Sequence, residues 1–539
     1  MSREYQAILF DTRSIQRFIF TGTRLKTNIG ASYLVDQAFE RVLLPVVRQV
    51  LGEEALDDTT WREVPSPDWT VQECAARVGY IGGGNALLLV RTDVSAEQVR
   101  EIVRAFTKRL LVWAPGLRTG AAIGRLCLEA DGSYAEGTGL SALVHALKEG
   151  QSTLFPAVVP PYFGITQACP VSGNTADAYD SSAHRFYSQE VAAKLRVATR
   201  TGRAEAPAEE ELVRKLRVVL PAERQASFLD GFTFPKEFEH LGQAETENYI
   251  AIVHVDGNNM GRQFMACDTL TKRKNLSRHV RQWTLEAFAS LVSSVTEHFE
   301  AYDFLACACD EEGRRYLPLR PIVLGGDDCT FVCAAKVAFP FTQKLMEEMA
   351  ARGIKSCGGI AILKTAYPFF RGYEMAESLC GAAKARMRAT DNDSCWLDFA
   401  LLHGEQPPTL EEMRALEYRG VCGDLHFGPY CVDGSTKEKS LDDLLAAVHW
   451  LKRMPQSKAK ELRRVLARGR EEQQQFLAQL RYLAAAEKQP ERLQLPHIRA
   501  WHAYEQELFA QDASGRSVTP YVDAIELMDF LEMGEREEA

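Results

Sequence analysis

A pattern of strand, helix, glycine-rich turn, helix and strand occurs twice in the first 400 residues, and no other feature limits the fold as strongly. The first pass opens with YQAILFDTRSIQRFIF, a strand pattern ending in Asp11 and followed by amphipathic helix. It continues through VGYIGGGNALLLV at 78–90, the helical AEQVREIVRAFTKRLL and the strand RTGAAIGRL. The second pass opens with NYIAIVHVDGNNMGRQF, whose strand ends at Asp256. It continues through PIVLGGDDCTFV at 321–332, the helical PFTQKLMEEMAARG and the strand CGGIAILK. Asp11 lies 71 positions before Gly82, and Asp256 lies 69 before Gly325; Gly82 precedes Gly120 by 38, and Gly325 precedes Gly359 by 34. Each unit is expected to be an α+β, ferredoxin-like sheet with one face covered by helices and one open. In that geometry the end of the first strand lies beside the hairpin turn, which places Asp256 next to Asp327 and Asp328.

A chain of 539 residues exceeds one hydrophobic core, so several domains are expected. The landmarks divide it into a first repeat unit at 1–150, a helical or irregular insert at 151–244, a second unit at 245–400 and a helical domain at 401–539. The insert holds FPAVVPPYFG, PVSGNTADAYDSS and the charged RAEAPAEEELVRKLRVVL, while the tail carries apolar residues at helical spacing in LDDLLAAVHWLKRM and SVTPYVDAIELMDFLEM. A formal net charge of −10 excludes a chain that coats nucleic acid by bulk charge, and any such contact must be local. No run approaches about 20 apolar residues, and the N-terminus lacks a signal-peptide pattern, so the chain reads as cytoplasmic with no membrane contact. Its 13 cysteines are scattered and read as reduced thiols, with no pair of pairs at zinc spacing.

The second unit carries the chemistry. Adjacent carboxylates on a tight turn repel unless a cation lies between them. Asp256, Asp327 and Asp328 on two adjoining strands, with Gly325 and Gly326 allowing close approach, suit hard cations such as Mg²⁺ or Mn²⁺. Two such ions can polarise an α-phosphate, lower the pKa of an attacking hydroxyl and stabilise a pyrophosphate leaving group. Gly257, Asn258 and Asn259 at a helix start offer backbone N–H groups to phosphate, and Lys384 in AESLCGAAKARM is placed to reach a β- or γ-phosphate. The plain alternatives are an Asp-rich hairpin turn for GGDD and a solvated surface charge for Lys384.

Glycine-glycine-acidic-acidic on a hairpin, paired with a strand-end Asp, resembles the palm domain shared by diguanylate cyclases and the polymerase-cyclase subunit of type III CRISPR effector complexes. The turn is GGDD and not GGDEF, there are two palms with the first degenerate, and TGTRLKTNIGASYLV, YIGGGNALL and GIAILKTAYPF are similar to the type III family in both halves. The resemblance covers roughly residues 1 to 400 and weakens in the insert and tail. It implies polymerisation of ATP into cyclic oligoadenylates, switched by target RNA in a complex with other effector subunits and guide RNA. It implies that Asp256 and Asp327 carry the metal ions, Asp328 assists and Lys384 touches the triphosphate. Gly84 and Asn85 stand where the second palm has Asp327 and Asp328, so the first palm is expected to hold no such ions. None of the 11 histidines is followed by Asp, so no HD-type nuclease activity is expected.

Two other readings stay open on the residues alone: a diguanylate cyclase-like enzyme using GTP, and palms that serve as scaffold in an RNA-guided complex. KRKNLSRHVRQW at 272–283 reads as a solvated helix start, with a phosphate-tracking groove as the alternative. Tyr367, Pro368 and Phe369 are expected to pack the core, and Cys357 either packs it or borders a base pocket.

Overall fold

The computed structural model of the chain describes residues 2–532 apart from 23, 64–66, 135–138, 152–163, 182, 201–203, 242–247, 391–392, 405–408, 437–438, 487–488 and 513–514. The insert's FPAVVPPYFG therefore lies outside the described residues except for Gly164. The chain falls into two compact units. One comprises Met1–Ala226, Asn259–Ala289 and Ile322–Asp327, the other Ser227–Asn258, Ser290–Pro321 and Asp328–Ala539.

In the first unit β1 (Arg3–Arg13), β2 (Leu56–Asp57), β3 (Ala76–Gly82), β4 (Asn85–Val90) and β5 (Arg118–Leu128) form one sheet in the order β2-β3-β4-β1-β5. Both β4 and β5 run antiparallel to β1, and Asp11 lies opposite Asn85 on one side and Gly120 on the other. Helix α1 (Ala96–Trp113) starts at a capping box in which Ser95 and Gln98 satisfy each other's backbone N–H groups. Its Val99, Ile102, Phe106 and Leu110 repeat at helical spacing and are buried. The basic run lies in the first half of α2 (Leu270–Glu297); Lys272 is exposed, but the cations after it are not simply solvated. Lys274 is 2% exposed and donates to the Glu63 carbonyl at 3.1 Å, Arg278 donates to the Arg62 carbonyl at 3.2 Å, and Arg281 faces Asp36 at 3.5 Å. These cations hold backbone and side chains of the same unit.

In the second unit β6 (Tyr249–Gly257) is central. It is flanked by β8 (Asp328–Ala334) and β9 (Ser356–Lys364), both antiparallel to it, with β10 (Trp396–Leu401) parallel to β9 and β11 (Tyr430–Cys431) at the edge. The strand β7 (Leu319–Gly325) leads into β8, giving the order β7-β8-β6-β9-β10-β11. The sequence predicts an open face, but both faces carry a helix. A Cβ on Gly358 would meet Met346 of α3 (Ala338–Ala351), whereas one on Gly359 would meet Ala376 and Cys380 of α4 (Phe369–Ala389). Neighbouring strand residues point to opposite faces, so α3 and α4 lie on opposite sides. Phe369 is buried as expected, Tyr367 is half-buried and Pro368 is exposed at the start of α4.

After β10 the tail is mainly helical, with α5 (Leu441–Lys452), α6 (Gln456–Leu466), α7 (Arg470–Ala486) and α8 (Tyr521–Leu527), but it also supplies the edge strand β11 and a two-stranded pair at Ala510–Gln511 and Ser517–Val518. Among the described residues no helix is long and apolar enough to cross a membrane. Four charged groups, two of them fully buried aspartates, join the tail to the sheet. His426 lies 3.0 Å from Asp398 of β10 and 3.1 Å from Asp523 of α8, and Arg414 closes on Asp398 at 2.5 Å. Asp523 also accepts from the Phe427 and Gly428 amides at 2.9 and 3.1 Å and from the Tyr430 hydroxyl at 2.6 Å. Burial pulls the His426 pKa down, but Asp523 and Asp398 outweigh it and Arg414, leaving it at about 9.

A histidine whose folded pKa is raised contributes stability that is complete below its unfolded pKa and is lost as pH rises through the folded value. Urea denaturation of the chain should therefore lose about 2 kcal/mol between pH 7 and 9.5 from this residue. His426→Gln should be less stable at pH 7 and should not show that loss. An equal pH slope in both proteins would assign the stability of this region to other groups.

Candidate active site

The register of β6 and β8 brings carboxylates together. Asp328 lies directly opposite Asp256, and on the other side Cys357 lies opposite Asp256. The turn before Asp328 consists of Gly326 and Asp327. Gly326 has φ of 69°, a left-handed conformation, and Asp327 does not. That is the pattern of a type II′ hairpin, which needs Gly only at its first central position and so tolerates Asp at the second. In the first sheet Gly83 and Gly84 have φ of 58° and 77°, the type I′ pattern. A side chain at Gly84 would be strained by that φ and would meet Ile15 at 2.4 Å.

Helix α4 supplies the remaining groups of this face. Lys384 Nζ lies 2.5 Å from Asp256 Oδ2 and donates to the Gly257 carbonyl at 3.3 Å. His254, two residues before Asp256 on the same face of β6, places Nδ1 3.0 Å from Thr330 Oγ1 and 3.3 Å from Asp328 Oδ1, with its ring edge-on to Tyr373 of α4. Burial lowers the His254 pKa against the pull of Asp256 and Glu377. The ring is thus neutral near pH 7, and its approach to Asp328 is not an ion pair. The shorter contact, to Thr330, is the hydrogen bond, because Asp328 Oδ1 is shut off from water and has no hydrogen-bond partner among the described residues.

Asp328 is therefore costly to ionise. Burial first, then Asp256 and Glu377, push its pKa up to about 8, and Lys384 offsets only part of this. Burial, followed by Asp328, Glu377 and Asp256, also raises the Tyr373 pKa. Among the described residues no three His, Cys, Asp or Glu side chains converge in a metal-holding cluster. Mg²⁺, however, is commonly bound through one or two carboxylates together with substrate phosphates. An orphaned carboxylate oxygen opposite a second carboxylate fits such an ion.

The other sequence-selected residues divide. Gly257 ends β6 and presents its carbonyl to Lys384. Asn258 is buried, with its amide N–H spent on the Lys355 carbonyl at 2.8 Å and its side-chain nitrogen on the Ser394 carbonyl at 3.0 Å. It is not a free phosphate donor through that N–H. Asn259 is left-handed and precedes a helix of only six residues, Met260–Met265. Cys357 sits in a buried cluster with Cys380, Met387, Trp396 and Cys431, which assigns it to the core. His254, Thr330, Tyr373 and Glu377 were not singled out by sequence, although two periodicities mark them. His254 precedes Asp256 by the two-residue strand repeat, and Tyr373, Glu377, Cys380 and Lys384 follow a helical face.

Asp328→Asn removes a carboxylate that is costly to ionise, so the metal-free protein should gain roughly 1–3 kcal/mol at pH 7. Thermal unfolding in chelator checks this. A loss of stability would mean that Asp328 is satisfied by a partner that the geometry does not reveal.

Residues 249–392 match the second palm domain of Cas10/Cmr2. No curated protein sequence is similar enough to count as a match. Among solved structures the apo Csm1-Csm4 cassette is 13% identical, over 98% of this chain and 70% of that one, with a TM-score of 0.51. The Csm1-Csm4 cassette in complex with pppApApA is 12% identical, over 98% and 69%, also with a TM-score of 0.51. At such identity the likeness establishes the fold, an α+β architecture of palm domains. The stretch 249–392 is thus similar to the second palm domain of Cas10/Cmr2, and the chain shares its fold with the solved Csm1 structures.

Proposed function

We propose that the chain is a metal-dependent nucleotidyltransferase that joins ATP into cyclic oligoadenylates in type III CRISPR defence, switched by target RNA bound with guide RNA and other effector subunits. The observation that carries this reading is the Asp256–Asp328 pairing with Lys384 set against it, inside the residues matched to the second palm. The Csm1-Csm4 cassette solved with pppApApA supports an adenylate substrate. Asp256 and Asp328, with Asp327 of the adjoining turn, are the residues that would hold Mg²⁺ or Mn²⁺. A cation bound there would supply polarisation of the α-phosphate and a lowered pKa for the attacking hydroxyl.

The chain's own groups do the rest. Lys384 is the donor for the β- or γ-phosphate, and Gly257, Asn259, Gly325 and Gly326 line the turns over which a triphosphate would lie. Asn258 supports them from beneath through its bonds to Lys355 and Ser394. His254, neutral and tied to Thr330, fills the space behind Asp328 without adding positive charge. In the first palm Asn85 takes the place of the carboxylate opposite Asp11, so the charge needed for a cation is halved there.

The test is incubation with each nucleoside triphosphate and Mg²⁺ or Mn²⁺, with and without partner subunits and target RNA, followed by mass spectrometry. ATP should give cyclic oligoadenylate, and Asp256→Asn should reduce it by about 100-fold or more, because Asn keeps the shape of the side chain but removes a ligand charge. A cyclic GTP product would favour the diguanylate cyclase-like reading, and no product under any condition would favour the scaffold.

A further inference from the structure

Lys384 is anchored more firmly than a surface lysine. Helix α4 lies so close to β9 that a Cβ on Gly359 would fall 2.1 Å from the Ala376 carbonyl oxygen and 2.6 Å from the Cys380 nitrogen. Cys380, one turn before Lys384, donates to the Cys357 carbonyl at 3.2 Å, and Cys357 is the ladder partner of Asp256. The helix therefore delivers the lysine at a fixed height above β6. Its side chain is 18% exposed, and its ammonium is shared between Asp256 Oδ2 at 2.5 Å and the Gly257 carbonyl at 3.3 Å.

An ammonium at that distance and a divalent cation compete for the same carboxylate oxygen, because two cations on one carboxylate repel. We propose that Lys384 guards Asp256, competing with the metal ion for Oδ2, so that a metal is admitted only when a triphosphate draws the lysine away. This rests on the function proposed above and adds an order of loading to it. A triphosphate presents several anionic oxygens to the ammonium, and each lysine contact it gains frees Asp256 for the cation that accompanies it. Metal alone meets the guarded carboxylate. A lysine whose only role is to touch phosphate would leave metal affinity unchanged when no nucleotide is present.

The two cases separate in a titration of Mn²⁺ alone, followed by electron paramagnetic resonance, on the full chain and on Lys384→Met, Lys384→Arg and Asp256→Asn. Lys384→Met should bind Mn²⁺ about tenfold more tightly than the wild type, the scale of one lost charge-assisted contact. Its melting temperature should also rise more on Mn²⁺ addition. Lys384→Arg, which keeps the charge, should stay close to the wild type. Equal or weaker Mn²⁺ binding by Lys384→Met overturns the guard. If Asp256→Asn nevertheless weakens binding, the metal site stands and only the guard falls; if neither substitution changes Mn²⁺ binding, both fall.

Discussion

The chemistry proposed for the second unit depends on one register. β6 is paired on both edges, and that pairing sets Asp256 opposite Asp328 on one side and Cys357 on the other. A slip by one residue would turn Asp256 to the opposite face of the sheet. The apolar residues Ile250, Ala251, Ile252, Val253 and Val255 hold the register because both faces of β6 are covered and each side chain is buried. Close helix contact is the second half of the constraint. Gly359 and Gly372 remove side chains where α4 crosses β9 and β6, and a Cβ on Gly372 would press Ile252 and Leu363 at 2.8 Å. Only a helix seated this low brings Lys384 to Asp256.

The two palms share their strand order and differ in their turns. In each, the second strand of the hairpin lies beside the first strand of the unit, which in turn lies beside the last. Asn85 and Asp328 occupy equivalent positions opposite Asp11 and Asp256. The first turn has two left-handed glycines, and the space at Gly84 is taken by Ile15. An acidic residue there would have to overcome both φ and crowding, so the loss of charge in the first palm is built into its backbone as well as its side chains. The second turn leaves Asp327 outside the left-handed region, where a carboxylate costs nothing in strain.

The strands, the hairpins and the α+β class were legible because period-two apolar runs and glycine turns act locally. The repeat spacing was enough to place Asp256 beside Asp328. What could not be read was which face a helix would cover. The run after CGGIAILK is helical by pattern, but nothing in it says that the glycines at 359 and 372 seat it over Asp256 and not on the other side. Lys384 was therefore visible as a candidate while its partner was not. The basic run at 272–283 failed for a related reason: carbonyl partners at Arg62 and Glu63 lie more than 200 positions away in sequence, and no local pattern announces them.

Buried aspartates in this chain sort by what surrounds them. Asp398 and Asp523 are fully buried, yet Arg414 and His426 hold the first, and His426, Tyr430 and two amides hold the second; both carboxyls stay below the usual range despite burial. Asp328 is also shut off at Oδ1, but it faces Asp256 and Glu377, and its pKa moves the opposite way. A buried ion network satisfied on every side holds structure in place. A carboxylate with one shut-off, unmet oxygen beside a second carboxylate is instead a cost to stability, and such costs cluster where ligands bind. That contrast supports the proposed function, in which the Asp256–Asp328 face, and not the larger charge network beneath the tail, receives the substrate.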